Sequence, residues 1–183
     1  YSPELQQGGA TASGTPVFLQ LLGSDPELMA ANAERAAQLC APGIDLNFGC
    51  PAKTVNRSQG GAALLRSPYL IRSICERVRE RVPHGTPVTA KIRLGYDTDE
   101  NFEEILGALS AVALTEVTIH ARTRRQGYRP PAHWHRLRDA RNRLPFPVIA
   151  NGELWTPGDI ARCADISGSS AFMLGRGALC RPD

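Results

Sequence analysis

Apolar and polar positions along the chain fall into two alternating patterns. Short strand-like segments recur at residues 16–23, 43–47, 87–95, 116–120, 146–150 and 171–174, most of them bounded by Gly, Pro, Asn or Asp. Such segments predict strands, and the nearly continuous apolar run 16–23 predicts one buried on both faces, as in a parallel sheet. Between them lie stretches with apolar residues at helical spacing. Ile71, Ile74, Cys75, Val78 and Val82 form one stripe, opened by Ser67-Pro68 and stopped by Pro83-His84-Gly85. Asp25 caps a helix with Pro26 at its first position, running to about residue 40. The acids at Asp97, Asp99 and Glu100 open a helix to about residue 114. A basic helix is predicted over about 131–144, and Thr156-Pro157 starts one that runs to about 164. Residues 1–15, rich in Gly, Ser, Thr and Gln, read as a loop, and so does the Gly60-Gly61 stretch.

Six strands alternating with helices indicate a (β/α) barrel or an open doubly wound sheet. A closed barrel needs eight strands. The last two strands end in Asn151-Gly152-Glu153 and Gly175-Arg176-Gly177, and a phosphate site after strands seven and eight is common in such barrels. The expected fold is therefore a TIM-type (β/α)8 barrel, here incomplete, with the six strands corresponding to three to eight. In that fold the C-terminal strand ends form the ligand-binding mouth. Cys50 falls there: the strand at 43–47 is broken by Gly49 and Pro51, which puts Cys50 on the turn just past it. A thiol at that place can donate a proton, attack an electrophile, hold a metal, or be buried and inert, and position alone leaves these open. Lys91 and Arg93 stand two apart, on one face of the third strand.

A length of 183 residues suits one domain, and 42% hydrophobic with 21% charged residues indicates a soluble globular chain. No apolar run approaches the ~18 residues of a membrane helix, and no signal peptide is visible. The five cysteines, Cys40, Cys50, Cys75, Cys163 and Cys180, form no C-x-x-C pair and match no zinc spacing. Free thiols, no metal, no membrane and a cytoplasmic location are expected. The net charge of +3 hides an uneven distribution: there are 19 Arg and 2 Lys, and residues 122–143 hold eight arginines against one acid, Asp139. Arginine forks suit phosphates, so this segment reads as an RNA-facing surface or as a solvated helix face.

The run Asn47-Phe48-Gly49-Cys50-Pro51-Ala52-Lys53, with Arg57, Gln59, Gly60 and Gly61 downstream, resembles the signature of the tRNA-dihydrouridine synthases, flavin enzymes that reduce selected uridines in tRNA. The resemblance covers nearly the whole chain. It implies a flavin-binding barrel followed by a helical tRNA-binding domain, with the first two strands and most of the helical domain outside these residues. It implies FMN as cofactor, NADPH as reductant, tRNA as partner and a monomer. Cys50 would be the general acid that protonates uracil C5 as hydride reaches C6, a role that needs a neutral thiol. Lys91, with Gln20, would face the polar edge of the flavin, where an ammonium offsets negative charge; the alternative for Lys91 is a snorkelling surface lysine. His120 would contact the flavin or the substrate carbonyl. Asn151, Gly152, Glu153, Gly175 and Arg176 would hold the phosphate. Asn47, Lys53, Arg57, Arg93 and Tyr128 would lie on the substrate side, with Arg122, Arg124 and Arg125 toward tRNA. The loop at 120–128, followed by Arg129-Pro130-Pro131-Ala132-His133-Trp134, looks most like the C-type bacterial branch, which modifies position sixteen of the D-loop. Competing readings are a flavin barrel enzyme acting on a free pyrimidine, similar to dihydroorotate dehydrogenase, and a non-catalytic RNA-binding remnant.

Overall fold

The computed structural model describes Leu5 and residues 8–180. Strands and helices alternate throughout: β1 (Leu19–Leu21), α1 (Pro26–Gln38), β2 (Ile44–Asn47), α2 (Lys53–Arg57), α3 (Pro68–Arg81), β3 (Val88–Arg93), α4 (Phe102–Ser110), β4 (Glu116–His120), α5 (His135–Arg143), β5 (Val148–Asn151), α6 (Pro157–Ser167), β6 (Phe172–Met173) and α7 (Arg176–Cys180). The strands form one parallel sheet in chain order, with β1 and β6 as its two edges among the described residues. The six expected strands are all present. Register brings their C-terminal ends to one edge: Asn47 pairs with Lys91, two residues before the end of β3, Arg93 with His120, His120 with Asn151, and Asn151 with Met173.

Within each strand successive side chains point to opposite faces. One face carries Ile44, Leu46, Val88, Ala90, Ile92, Val117, Ile119, Val148 and Ala150, all buried against the helices. Phe102, Ile71, Ile74, Ile105 and Leu109 fill the space from the helix side with no exposed area, and each large apolar side chain so buried contributes roughly 1.5–3 kcal/mol. The opposite face carries Asp45, Asn47, Thr89, Lys91, Arg93, Thr118, His120 and Asn151. The strands β2 to β5 therefore turn one apolar face to the helices and keep the polar groups on the other.

β1 departs furthest from its sequence pattern. Only Leu19–Leu21 is strand, Gln20 is exposed, and Phe18 and Leu22 are 41% and 43% exposed. The reason is position: β1 is an edge and pairs with β2 alone. Helix starts follow the capping signals. Asp25 accepts from the Leu28 N–H at 2.9 Å, and Thr156 with Asp159 forms a reciprocal capping box. α5 begins four residues later than its basic composition predicts. The N–H of Ala132 is held by the Glu153 carboxylate at 2.6 Å and that of His133 by Ala121 O at 2.7 Å, which keeps this stretch extended toward the neighbouring loops. The stretch after Cys50 holds α2 and a 3-10 turn, Gly61–Arg66, where the sequence read a loop. The loop read over residues 1–15 lies partly outside the described residues.

Candidate active site

Cys50 is held by short-range polar contacts that its neighbours encode. Asn47 ends β2, and its Oδ1 accepts from the N–H groups of Gly49 at 3.0 Å and Cys50 at 2.9 Å, a side-chain-closed turn. Its Nδ2 donates to Gln20 Oε1 at 2.8 Å, Gln20 Nε2 donates to Asp45 Oδ2 at 2.7 Å, and Thr89 Oγ1 donates to Asp45 Oδ1 at 2.7 Å. From the other side Asn56 of α2 donates to Cys50 O at 2.9 Å and Ala52 O at 2.7 Å. Gly61, at φ +58°, packs so closely that a Cβ there would stand 2.9 Å from Cys50 Cβ. Sequence reasoning did not single out Asn56; its one signal was a side-chain amide four residues after Ala52, at helical spacing.

The polar face of β3 brings two cations beside this turn. Lys91 Nζ donates to Asn151 Oδ1 at 3.2 Å, and Asn151 Nδ2 donates to Met173 O at 2.7 Å. Burial, reinforced by Arg93 and partly offset by Asp45, lowers the Lys91 ammonium from 10.5 to about 8. Arg93 is 2% exposed and ties three loop carbonyls: Gly49 O at 2.9 Å, Gly127 O at 3.0 Å and Thr123 O at 3.2 Å. Beyond β4 and β5, Arg122 is buried in an ion pair with Glu153, and its Nη1 lies 3.3 Å from His120 Nε2. Arg176 stacks over the rings of Tyr128 and Trp155, at 4.6 and 5.0 Å from their centroids.

These groups line one cavity of about 410 Å³. Cys50, Gln20, Lys91, His120, Asn151, Gly152, Glu153, Gly175 and Arg176 all reach it, with Asn47, Arg93, Arg122 and Tyr128 from the expected substrate side. Lys53 and Arg57 do not; they are exposed on α2, the helix that follows Cys50. Arg124 is half-buried over the Tyr96 ring at 5.0 Å, and Arg125 is exposed on the loop after β4. Sequence reasoning missed the apolar wall of Leu154, Trp155, Met173 and Leu174. Its only signal was Leu154-Trp155 directly after the Asn151-Gly152-Glu153 turn. The cavity's charge is lopsided. Among the described residues, Lys91, Arg93, Arg122 and Arg176 line it against one carboxylate, Glu153, which Arg122 already neutralises. It suits an anion that also presents a flat apolar surface.

The arginine-rich segment does not form the single surface its composition suggested. Arg122 is in the cavity wall and Arg136 is paired with Asp99 at 3.0 Å and Asp139 at 2.8 Å. Arg138 and Arg141 donate to Asp165 O at 2.8 Å and Ser167 O at 3.4 Å, at the C-terminal end of α6. Because the helices run back against the strands, that end is opposite the mouth. Only Arg124, Arg125 and Arg129 remain on the mouth side, on the loop after β4.

A parallel sheet whose strand ends converge on one cation-lined mouth defines a (β/α)-barrel protein, here a partial barrel of six units. Solved structures agree on the fold: 2-naphthoyl-CoA reductase superposes with a TM-score of 0.63 at 18% identity over 86% of this chain and 27% of its own, and morphinone reductase with 0.57 at 18% over 86% and 46%. At the level of sequence, the profile of the dihydrouridine synthase (Dus) family matches residues 3–183, and the chain belongs to that family. The tRNA-dihydrouridine(16) synthase of Pseudomonas putida is 50% identical over 182 residues, covering 100% of this chain and 56% of the relative. That of Shewanella oneidensis is 52% identical over 181 residues, covering 99% and 58%. The chain thus spans somewhat over half the length of the curated relatives it matches.

Proposed function

We propose that the chain is the flavin-binding barrel portion of a tRNA-dihydrouridine synthase, a monomeric cytoplasmic enzyme that uses FMN and NADPH and no metal. It would reduce the C5–C6 bond of uridine in the tRNA D-loop, at position 16. Family membership and the names of the relatives support the reaction class and the position. Among the described residues no helix is long and apolar enough to cross a membrane. The observation that carries the reading is the meeting of Cys50 and Lys91 in one cavity, where Asn47, the end of β2, pairs with Lys91 of β3.

The residues present fit FMN. Lys91, Gln20 and His120 would hold the polar edge of the ring, and Asn151, Gly152, Gly175 and Arg176 its phosphate, with the apolar wall along the ring. Bound there and reduced by NADPH, FMN would supply a hydride for uracil C6 and return to its oxidised form. Cys50 would give its Sγ proton to C5, so that the C5–C6 double bond becomes a single bond with one new C–H bond on each carbon, and solvent would return a proton to the thiolate. Lys91 would hold a positive charge at the ring's polar edge, which lowers the cost of negative charge developing there. Tyr128, 54% exposed at the rim, offers its face to a uracil flipped out of its stack. Arg125 and Arg129 would take tRNA phosphates.

The test uses a protein of the relatives' full length with tRNA and free uridine as substrates. Cys50→Ala is expected to bind FMN and accept electrons from NADPH, but to form dihydrouridine in tRNA about 10²–10⁴-fold more slowly. Cys50→Ser should recover little, because a hydroxyl is a far weaker acid. Cys75→Ala, in the buried face of α3, is the control and should affect stability only. A wild-type rate of product formation by Cys50→Ala removes the general-acid role, and equal turnover of free uridine removes the tRNA assignment.

A further inference from the structure

We propose that Arg122 and Glu153 are positioning residues that hold His120 as its neutral Nδ1–H tautomer, making it a fixed hydrogen-bond donor in the mouth rather than an acid or base. A guanidinium has only N–H donors, and Arg122 Nη1 lies 3.3 Å from His120 Nε2. Nε2 must therefore accept, and a neutral ring that accepts at Nε2 carries its proton on Nδ1. Arg122 is itself fixed: it is 2% exposed, and its Nη2 is paired with Glu153, whose carboxylate also accepts the Ala132 N–H at 2.6 Å. This clamp joins the loops after β4 and β5. Gly152, at φ +109°, closes the same edge of the ring, since a Cβ there would stand 2.5 Å from His120 Cδ2 and 2.9 Å from Nε2.

A second proton on the ring is opposed from every side. Besides its burial, His120 faces Arg93 and Lys91 of β3, Arg122 beyond β4 and Arg176 beyond β6, all cationic, with the Tyr128 ring 5.9 Å away. Among the described residues, the one carboxylate lining the cavity, Glu153, is paired with Arg122. Burial first, then these cations, press the imidazole down to about 2. The donor so produced suits a carbonyl oxygen or an unprotonated ring nitrogen of a heteroaromatic ligand; that ligand assignment rests on the flavin reading above, whereas the tautomer does not.

Nitrogen-15 NMR of the imidazole rings in the chain tests the proposal, with His120→Gln identifying the signal. The expected wild-type result is a protonated Nδ1, an unprotonated Nε2, and no change between pH 7.5 and 5. Arg122→Met combined with Glu153→Gln, which leaves no unpaired carboxylate behind, should mix the tautomers, whereas Arg122→Lys, which keeps a donor, should retain the Nδ1–H form. A wild-type Nε2–H tautomer, a His120 titration above pH 5, or an unaltered tautomer in the double variant overturns the proposal. Titration with FMN separates the two readings: no binding with the Nδ1–H form present removes the flavin and leaves the clamp standing.

Discussion

Lys91 is a cost to the unliganded chain, and the cost has a measurable sign. Its ammonium is lowered from 10.5 to about 8 by burial and Arg93. Between these pH values the unfolded chain holds a proton that the folded chain has released, so stability rises with pH through that window. Below pH 8 the penalty is fully present. Lys91→Met is therefore expected to be more stable than wild type at pH 7, by at most about 3 kcal/mol, with the advantage shrinking between pH 8 and 10.5. Urea denaturation across pH reads this directly; a Met variant less stable at pH 7 would mean that the Asn151 contact outweighs desolvation. Residues near the mouth differed in how legible they were. Cys50 and Lys91 could be read from the sequence because each stands out in type against its own strand or turn. The roles of Arg122 and Glu153 could not, because their pairing joins two loops 31 residues apart, and an arginine in a basic run carries no mark of being buried.

At the scale of elements, strand and helix types were readable from periodicity, and the six-unit repeat was readable from their alternation. The bounds were not, where tertiary bonds overrode local preference. α5 starts late because Glu153 and Ala121 hold the residues before it. β1 reads as doubly buried yet is an edge, because burial depends on neighbours that a hydropathy run does not specify. The basic segment is the clearest case: composition marks all eight arginines alike, whereas the direction of α5 sends Arg138 and Arg141 away from the mouth to bond α6. This separates two outcomes for tRNA binding. Replacing Arg125 and Arg129 with Ala in the full-length protein should weaken binding and flatten its salt dependence, by a slope of about 0.7–0.9 for each phosphate no longer neutralised. Replacing Arg138 and Arg141 with Ala should leave the slope alone and lower stability by roughly 1 kcal/mol. Equal effects of the two pairs on the slope would return the whole segment to one RNA-facing surface.

Across the whole molecule, the site draws on every unit of the sheet. Gln20 comes from β1, Cys50 follows β2, Lys91 lies in β3, His120 ends β4, Asn151 ends β5 and Arg176 follows β6. The two edges hold the partly exposed apolar side chains Phe18 and Leu22 at one end and Trp155 and Leu174 at the other. Ligand binding therefore reports on the integrity of the sheet as well as on the site. The most direct measurement is titration of the 183-residue chain with FMN and, separately, with riboflavin, followed by flavin fluorescence and absorbance. FMN is expected to bind saturably at one site and more tightly than riboflavin by about 10–100-fold, the range a charge-assisted hydrogen bond supplies, and Arg176→Ala should narrow that gap. No saturable FMN binding, or a preference for FMN that Arg176→Ala leaves intact, would contradict the assignment of this mouth as a flavin phosphate site.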